Sequence, residues 1–516
     1  MIDTKALKQK ILDLAIHGKL VPQDPSDEPA SALLEKIRAE KQRLIKEGKI
    51  KSDKSDSVIY KGDDNRYYEK IGNNEPVLME NLPFEIPDSW AWVRVQNYTL
   101  TVFNGKPPKY SKVPTAHKVI GQQANQWDGV NLEYVKYCTE EFAQNMPKMF
   151  YLQDGDVLLN SLGNGTLGRS SCFDMDVCNE TLLTDGHLFV FRNYSKQMSK
   201  FLQYYLQVKC DDIINTATGS TNQTFLSLNN TLQWIIPTPP LAEQERIISY
   251  VNSLFDRINI IDNNQAELEQ LYDDLKKKTL DLAIQGKLVS QDPNDEPACE
   301  LLKRIRTEKK AQLGKKYVDS YIYKGDDNCY YEHIDGKTKD VLLETPFDLP
   351  KTWIWARWGN LSNSIQYGYN APAKEKGRIK MVRISDIYNN EVDWVNVPFC
   401  DISEKEIATY LLKQNDILFA RTGGTVGKSY LVKTVPEEAI YAGYLIRTRY
   451  SEKLSAQYLK YFMDSSLYWM QLRDGTIATA QPNCNGQTLS KMILPLPPRA
   501  EQQRIVDKLN EIFAKI

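Results

Sequence analysis

Apolar and large side chains recur at alternating steps of four and three residues through the middle of the chain. The series consists of Ile247, Val251, Leu254, Ile258, Ile261, Leu268, Tyr272, Leu275 and Leu282, with Gln265 and Thr279 at the intervening steps. This spacing is a heptad seam and predicts a coiled-coil helix. Gly286 supplies a helix stop. A continuous helix over 242–285 would be about 65 Å long at about 1.5 Å per residue.

Both ends of the chain repeat parts of this seam. The start of the seam returns 258 residues later, in Ile505, Leu509, Ile512 and Ile516. The end of the seam is matched 268 residues earlier, in Leu7, Ile11 and Leu14. The two ends therefore resemble one helix cut in two, which predicts a circularly permuted arrangement with both ends beside the central helix. The offsets differ by ten residues, so either these residues are dispensable or the C-terminus has been shortened.

A common frame occurs twice and surrounds two divergent inserts. LDLAIHGKLVPQDPSDEPASALL (12–34) returns as LDLAIQGKLVSQDPNDEPACELL (280–302), identical at 18 of 23 positions. YKGDDN, a Pro-Phe segment ending in Trp-x-Trp, and PPxAEQxRI recur in the same order. The first insert (94–240) and the second insert (357–495) share only scattered features. Uniform drift after duplication would not spare the frame, so the pattern favours two readers of different targets on one scaffold.

A second helix is predicted after each GKLV, over 31–48 and 299–314. Each follows Asp-Glu-Pro, an acidic helix start with proline near the first turn. Leu33, Leu34, Ile37 and Leu44 mark the apolar side of the first of these helices, and Gly48 ends it. Its charged face is either solvated or a docking face for another subunit.

The inserts have the size of ordinary domains and contain short β-type runs with one late helical stretch each. This content predicts mixed α/β domains with a curved sheet. The predicted fold class is α+β: two mixed α/β recognition domains separated by a long antiparallel helical coiled-coil spacer, pseudo-two-fold and circularly permuted. The predicted divisions are N-terminal repeat helices and linker 1–82, first recognition domain 83–240, central repeat, long helix and linker 241–345, second recognition domain 346–497 and C-terminal helix 498–516.

Charge and cysteine usage limit the classes of function. A net charge of −2 and a pI of about 6.2 are not typical of a nucleic-acid binder, although a local basic face would suffice. The second insert is the more basic, with 17 Lys and Arg against 13 Asp and Glu, compared with 12 against 12 in the first. Eight cysteines without a CxxC pair, and no signal or membrane-spanning segment, predict reduced thiols in a cytoplasmic protein. The four histidines have no metal-ligand spacing.

Reading of DNA bases requires Arg, Lys, Asn, Gln, Ser or Thr on strand ends and loops, where they reach groove edges. The candidates in the first insert are Lys106, Lys109, Gln122, Gln123, Asn125, Arg169, Asn222 and Gln223. Those in the second insert are Arg378, Arg383, Ser385, Arg421, Lys428, Gln481 and Asn483. Facing solvent is the ordinary alternative for each of them.

The duplicated LDLAIxGKLVxQDPxDEPAxxLL, the PLAEQERI and PRAEQQRI segments and the two inserts resemble the specificity subunits of type I restriction-modification systems. The resemblance covers the whole chain in the right order. It implies two target-recognition domains that each bind half of a split site in double-stranded DNA, held apart by paired helices. It also implies two docked methyltransferase subunits and restriction/translocase subunits, which would carry S-adenosylmethionine, ATP and Mg²⁺. The chain itself would be non-catalytic and would bind no cofactor. The short C-terminal helix departs from the family pattern.

Three features suggest chemistry that we do not expect. TGGTVGKS (422–429) resembles a phosphate loop but has Thr422 where glycine is required, and GNGTLGRS (163–170) has Arg169 in place of lysine, so both predict a tight turn between strands. Asp63-Asp64 and Asp326-Asp327 are typical of solvated turns rather than Mg²⁺ sites. The paired tryptophans of the frame indicate core packing.

Two other classes of function remain as hypotheses. A structural adaptor that binds two protein partners through its inserts would share the duplication and the near-neutral charge. A standalone nuclease is supported only by scattered acidic residues. The recognised base sequence and its spacing are not encoded in a recognisable form.

Overall fold

The computed structural model describes residues 1–51, 56–163, 165–175, 182–220, 223–341, 344–388, 390–475 and 484–515. The chain divides into two compact units, Met1–Ala266 and Glu267–Ile516. Within the described residues, no helix combines the length and the apolarity that crossing a membrane requires. The described cysteines are free thiols, three of them buried.

Helices form where the frame predicts them and at short positions inside the inserts. In chain order they are α1 (Thr4–Ile16), α2 (Ala30–Lys46), α3 (Val95–Tyr98), α4 (Glu140–Gln144), α5 (Lys196–Val208), α6 (Cys210–Asn215), α7 (Leu228–Leu232), α8 (Leu241–Ile284), α9 (Ala298–Leu313), α10 (Trp358–Leu361), α11 (Glu404–Tyr410), α12 (Ala456–Asp464), α13 (Ser466–Gly475), α14 (Gly486–Lys491) and α15 (Arg499–Phe513). The helices predicted at 31–48 and 299–314 are confirmed as α2 and α9. Helix α8 ends two residues before Gly286, whose φ of +70° is the left-handed conformation of a helix stop.

The strands of the first unit belong to short sheets. They are β1 (Ser57–Lys61), β2 (Tyr67–Ile71), β3 (Val77–Leu78), β4 (Ala91–Arg94), β5 (Thr101–Asn104), β6 (Lys118–Ile120), β7 (Asn125–Gln126), β8 (Gly129–Val130), β9 (Lys136–Tyr137), β10 (Val157–Asn160), β11 (Ser170–Cys172), β12 (Leu182–Thr184), β13 (Leu188–Arg192), β14 (Thr218–Ser220), β15 (Gln223–Phe225) and β16 (Ile235–Thr238). The sheet orders are β1-β2-β3, β11-β10-β13-β5, β12-β6-β9, β16-β4, β14-β15 and β7-β8.

The second unit repeats the main sheets of the first. Its strands are β17 (Ser320–Lys324), β18 (Tyr330–Ile334), β19 (Lys337–Asp340), β20 (Ile354–Arg357), β21 (Ser362–Tyr367), β22 (Ile379–Val382), β23 (Ile387–Tyr388), β24 (Glu391–Val392), β25 (Phe399–Cys400), β26 (Ile417–Ala420), β27 (Ser429–Leu431), β28 (Ala439–Tyr441), β29 (Leu445–Tyr450) and β30 (Ile493–Leu496). The orders β21-β29-β26-β27, β25-β22-β28, β20-β30 and β17-β18-β19 match those of the first unit, and β23 pairs with β24. The two divergent inserts therefore share one topology, including a parallel pair, β6 with β12 and β22 with β28.

A buried ion pair fixes the central strands of each insert. Asp156, before β10, binds Arg192 at the end of β13 with contacts of 2.7 and 2.9 Å. Asp416 binds Arg449 in the same way before β26, at 2.9 and 3.3 Å. The recurring Asp of the GDVLL and NDILF segments is thus a structural residue. Burial raises the pKa of Asp156, and the Arg192 guanidinium opposes that shift.

Helix α1 lies antiparallel to the first part of α8 within the first unit. Thr4 contacts Asp262 and Lys8 contacts Asn259, at 2.5 and 2.8 Å, so rising numbers in α1 meet falling numbers in α8. Behind these polar contacts lies an apolar cluster that includes Ile11, Leu12, Ala15, Ile247, Val251 and Ile258. In the second unit, Leu280 and Ile284 of α8 share a core with Ile505 and Leu509 of α15.

The seam is exposed between these two packed stretches. Leu268, Leu271, Tyr272 and Leu275 keep between 38% and 57% of their surface accessible. Leu268 lies in the part of α8 for which neither chain end supplies an equivalent residue, whereas Leu275 corresponds to Leu7.

A buried glutamate connects α8 to the frame. Glu243, wholly inaccessible to solvent, accepts hydrogen bonds from Trp90 Nε1 (2.9 Å) and Gln23 Nε2 (2.7 Å). Arg246, one turn further on, binds Asp27. Burial raises the pKa of Glu243, and the two hydrogen bonds to its carboxylate oppose that rise.

The second unit builds the same arrangement around Glu501. Its carboxylate accepts from Trp353 Nε1 (2.9 Å) and Gln291 Nε2 (2.6 Å), and Arg504 binds Asp295. We call each of these sets the glutamate clamp. It explains why the Gln of Gln-Asp-Pro, the Trp and the Glu of Ala-Glu-Gln recur together, although the clamp joins residues more than 140 positions apart. All four frame tryptophans are buried, which confirms their predicted packing role.

The KGDDN segments form hairpin turns, as predicted. Asn65 and Asn328 adopt left-handed φ values of 62° and 63° between paired strands. Asp64 accepts from the Arg66 N–H and from the Tyr68 hydroxyl, so its carboxylate is occupied by the turn itself.

Removal of the clamp carboxylate should destabilise its unit. In Glu243→Ala, the buried indole N–H of Trp90 loses its acceptor, and we expect a loss of about 1–3 kcal/mol in the free energy of unfolding. Urea unfolding monitored by tryptophan fluorescence measures this. Glu245→Ala is the matched control, because Glu245 is exposed on the same helix and its loss should leave the unfolding midpoint unchanged. Equal midpoints for the two variants would contradict the clamp.

The clamp should also give stability a particular pH dependence. Because the pKa of folded Glu243 is raised above its ordinary value of 4.5, its contribution to stability is full below pH 4.5 and declines as pH rises through the raised pKa. Glu243→Gln does not ionise, so the difference in unfolding free energy between wild type and this variant should shift against the wild type as pH rises. A constant difference across that window would contradict this assignment.

Candidate nucleic-acid interface

Several strands of each insert end at one side, which we call the strand-end edge. In the first insert it comprises 104–106, 121–123, 161–163, 165–169 and 185–187. Backbone hydrogen bonds join these segments: the Ser161 N–H donates to His187 O (2.9 Å), and the Lys106 N–H donates to Thr184 O (3.2 Å). The predicted candidates Lys106, Gln122, Gln123 and Arg169 all lie on this edge.

The loop between β10 and β11 covers Gln122. The backbone oxygen of Gln122 accepts from Asn160 Nδ2 at 3.0 Å, while its side-chain Oε1 is buried without a partner in the described residues. Gly163 (φ +118°) lies over this amide, and a Cβ at that position would be 2.4 Å from Oε1. Glycine is favoured here because L side chains rarely adopt this φ. The predicted tight turn between strands is confirmed for both glycine-rich loops, since β10 pairs with β11 and β26 with β27.

Asn125 is an interior residue, which corrects its assignment as a base reader. It has no accessible surface; its amide donates to Asn160 Oδ1 (2.9 Å) and Arg169 O (3.1 Å), and its oxygen accepts from Ser171 Oγ (2.5 Å). The residue holds the strand-end edge from behind. Asn125 is buried because β7 packs beside β10 and β11. The local sequence does not signal this long-range contact.

Arg169 lies partly buried at the same edge. Its Nη1 donates to Gln126 Oε1 at 2.9 Å, so its guanidinium is oriented by a neutral partner. Lys106 is exposed, with its ammonium 5.2 Å from the centre of the Phe150 ring. Gln123 is exposed as well. These three side chains remain available to a ligand.

Lys109 and Arg378 lie away from the strand-end edge. Lys109 binds Glu141 of α4 at 3.2 Å, and Arg378 precedes β22 and binds Glu404 of α11. Both are exposed cations neutralised by the first turn of a short helix. Arg378 is therefore at the opposite end of β22 from Arg383, and the structure does not bring either cation to the edge.

The strand-end edge of the second insert comprises 367–369, 383–385, 421–428 and 442–444. Arg383 follows β22 and binds Asp386 at 2.7 Å, and Ser385 approaches the same carboxylate at 3.4 Å. The Asp386 carboxylate thus holds the positive charge of Arg383, which raises the pKa of that guanidinium further. Arg383 is at the edge but already paired.

Arg421 and Lys428 flank the loop after β26. The Arg421 guanidinium stacks on the Tyr367 ring at 4.7 Å from the centroid, and its Nε is buried without a partner in the described residues. Lys428 is exposed. Both predicted candidates are therefore placed at the edge, on the two sides of one hairpin.

Three edge residues were not predicted from the sequence. Tyr367 and Tyr444 are 40% and 63% exposed, and the His187 side chain is 50% exposed. Tyr444 and His187 each follow a glycine after a strand, a signal that a search restricted to Arg, Lys and amide residues does not detect. Beside His187, burial raises the pKa of Asp185.

The remaining candidates are only partly described. Asn222, Gln481 and Asn483 lie outside the described residues, and of Gln223 only the backbone is described, in β15. Among the residues that the structure describes, no group of three or more His, Cys, Asp or Glu side chains has the geometry of a metal site. What the edge offers chemically is hydrogen-bond donors, aromatic faces and positive charge, which suit nucleic-acid bases and phosphates.

Comparison with known proteins identifies relatives of the whole chain. Residues 120–270 and 367–516 each match the family described as type I restriction modification DNA specificity domain. The EcoAI specificity subunit of the type I restriction enzyme of Escherichia coli is 28% identical, with 99% of this chain and 89% of the relative covered. The EcoEI specificity subunit, also from Escherichia coli, is 26% identical over the same shares.

A solved structure has the same overall fold. A chain from a study of complex assembly and conformational transition of the type I restriction-modification system has a TM-score of 0.52 and 16% identity, covering 84% of this chain and 92% of that one.

The interior role of Asn125 predicts a stability effect rather than a local loss of binding. In Asn125→Ala, Asn160 Oδ1 and Ser171 Oγ lose buried partners, and we expect a loss of about 2–4 kcal/mol in unfolding free energy. Thermal unfolding and urea titration measure it. Gln123→Ala, two residues earlier and exposed, is the control and should unfold like the wild type. If Asn125→Ala unfolded like that control, the interior assignment would be wrong.

Proposed function

Because the chain belongs to the type I restriction-modification DNA specificity family, we propose that it is the specificity subunit of such a system and binds a bipartite DNA site. The observation that carries the proposal is the presence of two family domains with one backbone topology and different side chains at their strand-end edges. One scaffold with two dissimilar reading surfaces suits two different half-sites. Family membership favours this function over the adaptor hypothesis.

We propose that α8 and the two terminal helices form the coiled-coil spacer of a circularly permuted arrangement. The antiparallel contacts of α1 with α8, and the shared core of α8 with α15, support it. A spacer of fixed length would set the number of unread base pairs between the half-sites, since DNA rises about 3.4 Å per base pair along one strand. The domain limits 83–240 and 346–497 enter this proposal as the two reading domains.

The partners in this proposal are methyltransferase subunits, two in number, and restriction/translocase subunits. The exposed leucines of α8 between 268 and 275 offer an apolar helical face that suits a helical partner. The partner subunits would carry S-adenosylmethionine, ATP and Mg²⁺. The chain would then contribute recognition and no catalytic group.

Exchange of one insert should change one half of the recognised site. Replacement of 94–240 by the corresponding segment of a relative keeps most of strand β4, exchanges strand β16 together with the insert, and leaves the second insert intact. Mapping of methylated positions across the genome, in cells with the complete system, should show one new half-site and one retained half-site at the original spacing. The reciprocal exchange of 357–495 is the control and should alter only the other half. Simultaneous change of both halves in either exchange would contradict independent readers.

DNA affinity should fall with salt. Because phosphate contacts release counterions, the logarithm of the association constant should decrease linearly with the logarithm of salt concentration. Fluorescence anisotropy of a labelled duplex, measured with the full chain and its methyltransferase partner at several salt concentrations, tests this. An adaptor that binds only proteins would show no DNA binding at any salt concentration.

A further inference from the structure

The two inserts hold equivalent backbone positions at their strand-end edges through the same hydrogen bonds. The Ser161 N–H donates to His187 O and the Arg421 N–H to Tyr444 O, at 2.9 and 3.1 Å. The Ser161 carbonyl accepts from the Leu226 N–H at 2.8 Å, and the Arg421 carbonyl accepts from the Cys484 N–H at 2.9 Å. Ser161 and Arg421 therefore occupy one backbone position with two different side chains.

Two neighbouring positions are equivalent by the same criterion. Gly105 N–H donates to Leu188 O and Gly368 N–H donates to Leu445 O, each at 3.0 Å. The residues immediately before these glycines, Asn104 and Tyr367, thus correspond, as do His187 and Tyr444. The edge has an identical main-chain frame and a different side chain at each of three adjacent positions, as expected of a surface that sets specificity.

The second insert places a preorganised guanidinium in this frame. Arg421 is fixed by its backbone on both sides and by stacking on Tyr367, whose hydroxyl accepts from the Gly486 N–H at 3.0 Å. Among the arginines that the structure describes in this insert, Arg378, Arg383 and Arg449 are paired with carboxylates. Arg421 has no acidic partner in the described part of the chain.

The charge around Arg421 also differs from that of the first insert. Ala442 N–H donates to Val382 O where Asp185 N–H donates to Ile120 O, so Ala442 replaces an acidic residue at the equivalent position. The exposed Lys428 lies across the hairpin, where the first insert has the amide-paired Arg169. The second edge is therefore cationic and aromatic.

We infer that Arg421 is a specificity-determining residue that reads a guanine in the half-site of the second insert. Guanine presents two acceptors, O6 and N7, in the major groove, and the planar fork of arginine matches them with two parallel N–H donors. Since Nε is buried, the two terminal nitrogens are the groups that reach the base. Contact with the Tyr367 ring restrains the guanidinium before DNA arrives, which reduces the entropy lost on binding. This inference rests on the proposed function.

The test compares selected DNA words. The full chain with its methyltransferase partner is incubated with a duplex library of random sequence, and bound DNA is recovered and sequenced. Arg421→Ser introduces the residue that the first insert carries at this backbone position, so the fold should tolerate it. At one guanine position of one half-site, we expect this variant to discriminate against the other bases about 10- to 100-fold less than the wild type. The other half-site should be unchanged.

Two further variants separate charge from geometry. Arg421→Lys keeps a cation but not the fork, so it should retain affinity for non-specific DNA while relaxing the same guanine. Lys413→Ala removes an exposed cation at the opposite end of β26 and should select the wild-type word. Thermal unfolding of all variants checks their folding.

An atomic test uses a modified base. Replacement of the relaxed guanine by 7-deazaguanine removes the N7 acceptor, and wild-type affinity should fall about 10-fold. Arg421→Ser should show no further loss with this DNA. The assignment of Arg421 would be overturned if Arg421→Ser selected the same DNA sequence as the wild type, or if 7-deazaguanine lowered the DNA affinity of both proteins equally. A wild-type chain that selects no word would instead overturn the proposed function, and this inference with it.

Discussion

A carboxylate buried at the start of a helix holds three distant stretches of each unit together. Removal of a carboxylate from water costs several kcal/mol unless donors replace the lost hydration, so Glu243 and Glu501 each require their tryptophan and glutamine. These donors come from the segment before the insert and from the loop after the GKLV repeat. The buried carboxylate thus requires the Gln of Gln-Asp-Pro and the Trp, and this requirement accounts for the recurrence of these residues in the two copies of the frame.

The same requirement leaves the inserts free to differ. Each insert is entered through one strand and left through its antiparallel partner, β4 with β16 and β20 with β30. Both passages lie next to the clamp, so the clamp positions the two ends of each insert. Within the insert, backbone hydrogen bonds hold Ser161 and Arg421 at the strand-end edge, and these bonds do not involve the side chain at that position. The side chain at the position of Ser161 and Arg421 can therefore differ without a change of fold. A protein that recognises varied DNA targets needs this property.

The frame was predictable from sequence because its signals are local: heptad spacing, a glycine stop, turn residues and duplicated segments. The bonds of the clamp were not predictable, since Glu243 and Trp90 are far apart in the chain and neither alone signals a partner. Candidate base readers were predicted by residue type, which is a weak criterion. Asn125 satisfies it and is buried; Arg378 satisfies it and is neutralised by Glu404; Tyr367 fails it and orients Arg421. Burial and pairing are decided by tertiary contacts that residue type does not encode.

The near-neutral charge of the chain has a physical explanation in these pairings. Four arginines of the inserts form ion pairs with neighbouring carboxylates: Arg192, Arg378, Arg383 and Arg449. The number of Lys and Arg residues in the chain therefore includes cations that stabilise the domains and do not face a ligand. Discrimination between bases needs few donors, whereas affinity for DNA comes mainly from many phosphate contacts. The paired arginines named above therefore contribute little to phosphate binding. In the proposed assembly, base discrimination by this chain would determine where on the DNA the complex binds, while phosphate contacts would supply most of the affinity.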